Sequence, residues 1–290
     1  MNTFIQFCQT IMNPVVLVFT IMNLLTMGLQ VNIPQVVKKF SNPKLLMMIL
    51  VWGWVVGPLL GFLITRIIPL AEPFSQVILL ASLAPCAPFL PPMVGRARGD
   101  VGFAGAFIPL AAVGTVVFMP LLAPLLIKGL TISTMALAKP LIITILIPLL
   151  IGAVIKTYAE KIADKIFKPV KLLANLSTLL TILLAFLLFG EQMIDTAGSF
   201  ALLSLTIFMV VMALITYRFG FGLKQAERSV MSLGMGTRNI AAVFAGVLAI
   251  PNGDPRLMAM TIMYTLWSII LAFIVSPMFG KKAGKTEVTV

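Results

Sequence analysis

The 290-residue sequence has no histidine, two cysteines and nine acidic residues. The missing histidine excludes Ser-His-Asp triads, imidazole proton shuttles and the usual histidine-containing zinc sites. No G-x-x-x-x-G-K-S/T phosphate loop occurs, so ATP is not the expected energy source. Cys8 stands alone near the start and Cys86 falls inside a hydrophobic segment, which implies no disulfide framework. Charged residues make up only 10% of the chain and hydrophobic ones 60%, against about 25% and about 45–50% in soluble domains. A water-soluble fold is excluded. No enzyme activity, cofactor or metal site is expected.

What is present is a series of long apolar runs, at roughly 14–31, 44–66, 74–95, 101–127, 139–156, 171–190, 198–218, 228–250 and 257–279. They predict an all-α membrane protein of nine transmembrane helices joined by short connections. The net charge of +12 could suggest nucleic acid, but its distribution argues for membrane topology instead. Alternate connections hold sixteen of the 21 basic residues, and the opposite set holds only Arg66, Lys128, Lys139 and Arg256. Cytoplasmic loops retain Lys and Arg. The split therefore predicts an inner cell membrane protein with its N-terminus outside and its C-terminus, including a tail at 280–290, in the cytoplasm. Residues 1–13 carry no Lys or Arg, and no cleaved secretory signal is expected.

Two spans cannot be regular. Span three (74–95) contains Pro85, Pro88, Pro91 and Pro92 around Cys86, and four prolines in eight residues interrupt a helical ladder. Span eight (228–250) contains Gly234 and Gly236, which permit unwinding, and Thr237, which can cap a restarted helix. Lipid does not tolerate irregular backbone, so such breaks face protein or a polar cavity. Paired discontinuous helices mark transporter binding sites. The blander alternative is a kink in span three and close packing at the two glycines.

Span eight also holds Arg238, the one basic residue inside a span. An arginine at the bilayer centre costs about 2.5–3.5 kcal/mol on insertion scales. All nine carboxylates fall in connections or tails, so the partners left for it are freed backbone carbonyls, water or an anion from outside. A guanidinium fork and the N-terminus of a restarted helix both favour an anion near Gly236, Thr237, Arg238 and Asn239. The facing residues Pro88, Phe89, Leu90 and Pro91 complete the candidate substrate site. The alternative is a structural arginine that ties exposed carbonyls together.

These residues, with Met27-Gly28-Leu29 and Arg98-Gly99-Asp100, resemble the bile acid:sodium symporter superfamily along roughly the whole chain. Gly236-Thr237-Arg238-Asn239 is the most specific match. The resemblance implies crossing broken helices in a core domain, a flatter panel domain, and alternating access between them. It implies inverted repeats at 1–127 (spans one to four) and 139–279 (spans five to nine). It also implies that Gly234 and Arg238 stand where sodium-coupled relatives use a Glu and a Gln. Leu90, Pro91 and Gly53 stand where those relatives have further side-chain oxygens.

A hard cation needs oxygen ligands and is repelled by a guanidinium. The expected function is therefore secondary transport of a small organic anion without sodium coupling, Arg238 replacing the cation. Two alternatives remain at this point. Arsenite permeases of the same superfamily carry a similar Ala-Pro-Cys, which would make Cys86 a metalloid ligand. A sensor that kept the fold without transport is the other. The expected partners are the substrate, the lipid bilayer and, in a homodimer, a second copy; a monomer is equally compatible.

Overall fold

The computed structural model describes residues 2–127 and 133–287. Lys128 and residues 288–290 of the expected tail lie outside the described residues, as do the side chains of Lys39 and of 281–287. Every regular element among the described residues is a helix.

The chain runs α1 (Asn2–Gly28), α2 (Ile33–Phe40), α3 (Pro43–Val51), α4 (Gly57–Ile67), α5 (Glu72–Ser82), α6 (Leu90–Arg96) and α7 (Val101–Leu126). It continues with α8 (Thr134–Leu141), α9 (Ile147–Tyr158), α10 (Glu160–Gly198), α11 (Ala201–Arg218), α12 (Gln225–Gly236), α13 (Ile240–Leu248) and α14 (Pro255–Glu287). Side-chain caps set several starts. Asn42 Oδ1 accepts from the backbone N–H groups of Lys44 and Leu45, Asp100 Oδ1 from Phe103, and Ser133 Oγ from Ala136.

Among the described residues seven helical stretches are long and apolar enough to cross a membrane: Thr3–Gly28, Pro43–Ile67, Val101–Leu126, Thr134–Tyr158, Glu160–Gly198 (kinked at Phe189), Ala201–Arg218 and Pro255–Gly280. The other two expected spans, 74–95 and 228–250, are each split into two short helices, α5/α6 and α12/α13.

Two of the long stretches share an irregularity that hydrophobic periodicity did not predict. Pro43–Ile67 contains a π-helical turn at Trp52–Val56, and Thr134–Tyr158 contains one at Ile142–Leu146. Each is followed by one residue and then a proline, Pro58 or Pro148. A proline has no N–H and its ring clashes with the carbonyl four residues back; widening the preceding turn relieves that clash.

Two sets of helices can be followed, joined to each other where α10 packs along α14. In the first, α1 lies along α10 and α9. The α1–α9 contact is backbone on backbone: a Cβ added to Gly152 would come within 2.7 Å of the Gly28 carbonyl carbon, and one added to Gly28 would strike the Leu149 carbonyl oxygen. Asn23 adds a hydrogen bond from α1 to Thr178 Oγ1 of α10 at 3.3 Å. The second group gathers α4, α5, α6, α11, α12 and α14 around the two breaks, with α7 against α6 and α12. Trp54 stands over Gly114 of α7 and donates from Nε1 to the Leu83 carbonyl at 3.0 Å, fixing the end of α5.

Candidate functional site at the helix crossover

The two breaks meet. α5 stops at Ser82, and the chain passes through Ala84-Pro85-Cys86-Ala87-Pro88 before α6 begins at Leu90, with Pro91 and Pro92 in its first turn. α12 stops at Gly236, Thr237 is extended at φ −99° and ψ 165°, and α13 begins at Ile240 with Asn239 Oδ1 accepting from the Ala242 N–H. Between them Pro85 and Arg238 form the one isolated antiparallel β-bridge among the described residues.

Backbone groups freed by each break are satisfied by the other. The Asn239 N–H donates to the Ala84 carbonyl at 2.8 Å. The Cys86 N–H is shared between the carbonyls of Gly234 and Thr237, at 2.9 and 3.1 Å. Thr237 Oγ1 accepts from the Ala87 N–H at 3.2 Å and donates to the Leu233 carbonyl at 2.8 Å, so its proton and one of its two lone pairs are used. Such pairing is what permits irregular backbone in a buried apolar setting. Cys86 accepts a left-handed φ of 74° to reach both carbonyls, an unusual conformation for a residue with a side chain.

Arg238 is fully buried. Its Nη2 donates to the Met235 carbonyl at 2.8 Å, and its guanidinium carbon lies 4.4 Å from the centre of the Phe208 ring of α11. The buried hydroxyl of Tyr264 on α14 is the polar neighbour of the guanidinium, although no hydrogen bond of ordinary geometry joins it to Nε or Nη1. No carboxylate pairs with the guanidinium: the ion pairs among the described residues are Lys156 with Glu160 and Asp164, and Arg256 with Asp254. The charge is thus held on the side of the crossover that faces α11.

The other predicted site residues divide by exposure. Gly236, Thr237 and Asn239 are buried, and the Asn239 amide nitrogen has no partner. Leu90 is buried, whereas Pro88, Phe89 and Pro91 are half-buried. Pro91 lines a cavity of about 100 Å³ with Met27, Gln30 and Val31 of the α1 end and Val94 and Ala104. Gly236 and Thr237 line a narrow apolar slot of about 30 Å³ against Met209 and Val275. Cys86 is buried and close to the crossing, with no second thiol beside it.

Three contributors escaped the sequence reading: Phe208 under the guanidinium, Trp54 at the end of α5, and Phe107. The Phe107 ring fills the space beside Gly234 so closely that a Cβ there would collide with it. An aromatic residue in an apolar helix carries no signal that it faces a glycine. Gly53, by contrast, is backed by Pro85 Cγ at 3.4 Å and Met235 Cε at 3.8 Å. No group of three or more His, Cys, Asp or Glu that could hold a metal ion occurs among the described residues.

A sodium bile acid symporter family model matches residues 15–196, well over half of the chain. The chain belongs to that family. The matched stretch includes the first broken helix and ends before the second. Two relatives of this symporter family member are each named a probable sodium/metabolite cotransporter, BASS3, chloroplastic. The one from Arabidopsis thaliana is 24% identical over 229 residues, covering 78% of this chain and 53% of the relative. The one from Oryza sativa subsp. japonica is 25% identical over 235 residues, covering 78% and 54%. The chain spans about half the length of these relatives. Membership of this symporter family, together with seven helices among the described residues that are long and apolar enough to cross a membrane, marks the chain as a multi-pass membrane protein.

Proposed function

We propose that this symporter family member carries a small organic anion by alternating access, with Arg238 in the place of a dissociable cation, so that transport proceeds without sodium. The observation that carries the reading is the fully buried guanidinium, tied to the Met235 carbonyl at the crossing and unmatched by any carboxylate. A buried, unpaired positive charge is costly unless an anion or polar groups compensate it. A second cation a few ångströms away would raise that cost by several kcal/mol at low effective dielectric. The Phe107 ring against Gly234 leaves no acidic ligand and no room for one.

On this reading the anion binds at the half-buried face of Pro88, Phe89 and Pro91, beside Gly236, Thr237 and Asn239, and feels Arg238 across the crossover. The N-terminus of α13, which starts at the crossing, adds partial positive charge. We assign 1–127 and 139–279 to two inverted repeats, the α1, α9 and α10 group to the panel, and the helices around the crossover to the core. The N-terminus lies outside and the C-terminus in the cytoplasm of an inner membrane. The relatives' names pair a metabolite with sodium; this chain keeps the first and drops the second.

The test is a thermal-unfolding screen of small carboxylates and sulfonates on purified protein, followed by uptake of any stabilising anion into proteoliposomes. Uptake is expected to be the same in sodium, potassium and choline media. Uptake that collapses when sodium is replaced overturns the proposal.

A further inference from the structure

The longest helical stretch, α10 (39 residues), is kinked at Phe189, whose φ of −128° and ψ of 18° are non-helical; its first part, 160–188, alone spans about 44 Å at 1.5 Å per residue, well beyond the ~30 Å hydrocarbon core. Its Leu-rich part begins at Leu172, so the first twelve residues, Glu160–Lys171, extend past the apolar stretch. Tyr158, just before them, is 80% exposed, as expected of an aromatic residue at the membrane–water interface.

One face of α10 changes character along its length. Lys161, Lys165 and Lys168 follow the i, i+4, i+7 spacing of a single helix face. The same steps continue into Leu172, Leu176, Leu179 and Leu183, all more than half exposed. The opposite face, with Ala163, Ala174, Ser177 and Thr181, is buried against the protein. The lysine-then-leucine stripe therefore points away from the rest of the molecule, its leucines along the apolar stretch and its lysines just beyond it.

The lysines on this stripe are not neutralised by their neighbours. The two carboxylates of the segment, Glu160 and Asp164, are both held by Lys156 of α9, at 2.9 and 3.0 Å. Lys161, Lys165 and Lys168 are exposed and make no ion pair among the described residues. Lys171, at the junction with the leucines, folds its ammonium over the Phe167 ring at 5.6 Å.

We infer that this stripe is a binding site for an anionic phospholipid, with the headgroup phosphate on Lys161, Lys165 and Lys168 and an acyl chain along Leu172, Leu176 and Leu179. Charge complementarity selects the headgroup, since polybasic segments next to a membrane helix attract anionic lipid. Continuity with the exposed leucines selects a lipid over a free phosphate, because only a lipid meets both halves of the stripe. The site is independent of what the protein carries, and its test needs no transport.

The experiment compares the full chain with the Lys161→Gln/Lys165→Gln/Lys168→Gln variant in detergent, by retention of phosphatidylglycerol against phosphatidylcholine in native mass spectrometry and by thermal unfolding with each lipid. Lys224→Gln, an exposed lysine at the start of α12, is the control. The unaltered chain is expected to prefer phosphatidylglycerol by roughly tenfold, the triple variant to lose the preference, and the control to keep it. Unfolding of the triple variant in phosphatidylcholine should match that of the unaltered chain. Absence of a preference, its survival in the triple variant, or an equal stabilisation by inorganic phosphate each overturns the inference.

Discussion

Pro85 and Arg238 face each other as a strand-like bridge at the centre of an otherwise helical molecule. The bridge joins two places where a helix had to stop. Each break supplies the donors and acceptors that the other lacks, so neither is stable without its partner.

Thr237 is the side chain that closes this exchange, so its hydroxyl should matter more than its size. Thr237→Val keeps the shape and leaves the Ala87 N–H and one bond to the Leu233 carbonyl unmade. An orphaned buried N–H costs about 1–3 kcal/mol. Thermal unfolding should show that loss for Thr237→Val and little change for Thr237→Ser; equal behaviour of the two would contradict the assignment.

Arg238 combines charge with a position over the face of the Phe208 ring. Arg238→Gln should abolish stabilisation by any anion found in the screen. Arg238→Lys keeps the charge without the flat face and should fall between. If Arg238→Gln binds the anion as tightly as the unaltered chain, the guanidinium has no part in recognition.

Gly234 and Phe107 should behave as one unit. Gly234→Ala drives a methyl into the ring and is expected to cost about 1–3 kcal/mol, the usual range for overpacking. In a Phe107→Leu background the same change should cost much less. A double-mutant cycle on unfolding measures the coupling, and additive effects would show that the ring yields freely.

The α1–α9 contact allows no Cβ. Gly152→Ala should push the two backbones apart and lower the unfolding temperature. Gly105→Ala, within α7 and with nothing within 4 Å of its would-be Cβ, should stabilise by up to about 1 kcal/mol through helix propensity. Similar shifts for both would remove the steric account.

Asp254 caps the start of α14, accepting from the Arg256 backbone N–H at 2.8 Å and from its guanidinium at 2.6–3.1 Å. Arg256 beside it holds the carboxyl below the usual carboxylate range. Its contribution is present above the ordinary Asp value of about 3.9 and is lost as pH falls through the lower folded value. An unfolding series down to pH 3 should therefore show a small late loss that Asp254→Asn lacks.

Much of this architecture is legible in the amino-acid sequence because lipid leaves few options. Expected spans 44–66, 101–127 and 198–218 correspond to Pro43–Ile67, Val101–Leu126 and Ala201–Arg218, since apolar length is a strong signal. The breaks at Pro85–Pro92 and Gly234–Gly236 were visible because proline and glycine act on the backbone directly. Span six was expected at 171–190; its end falls at the kink at Phe189, whereas its helix begins earlier, at Glu160, because charged residues continue a helix outside the hydrocarbon, where hydropathy no longer reports it. The π turns before Pro58 and Pro148 depend on packing of the turn itself. Phe208 and Phe107 were illegible because burial beside a cation or a glycine is a tertiary fact.

The ring of Phe107 against Gly234 also sets a direction on how this protein can change. A lineage that acquired an acidic side chain at 234 would first have to shrink residue 107, and on the way would pass through a protein with a hole in its core and nothing yet to fill it. Two substitutions in a fixed order, the first harmful alone, form a barrier that selection crosses with difficulty.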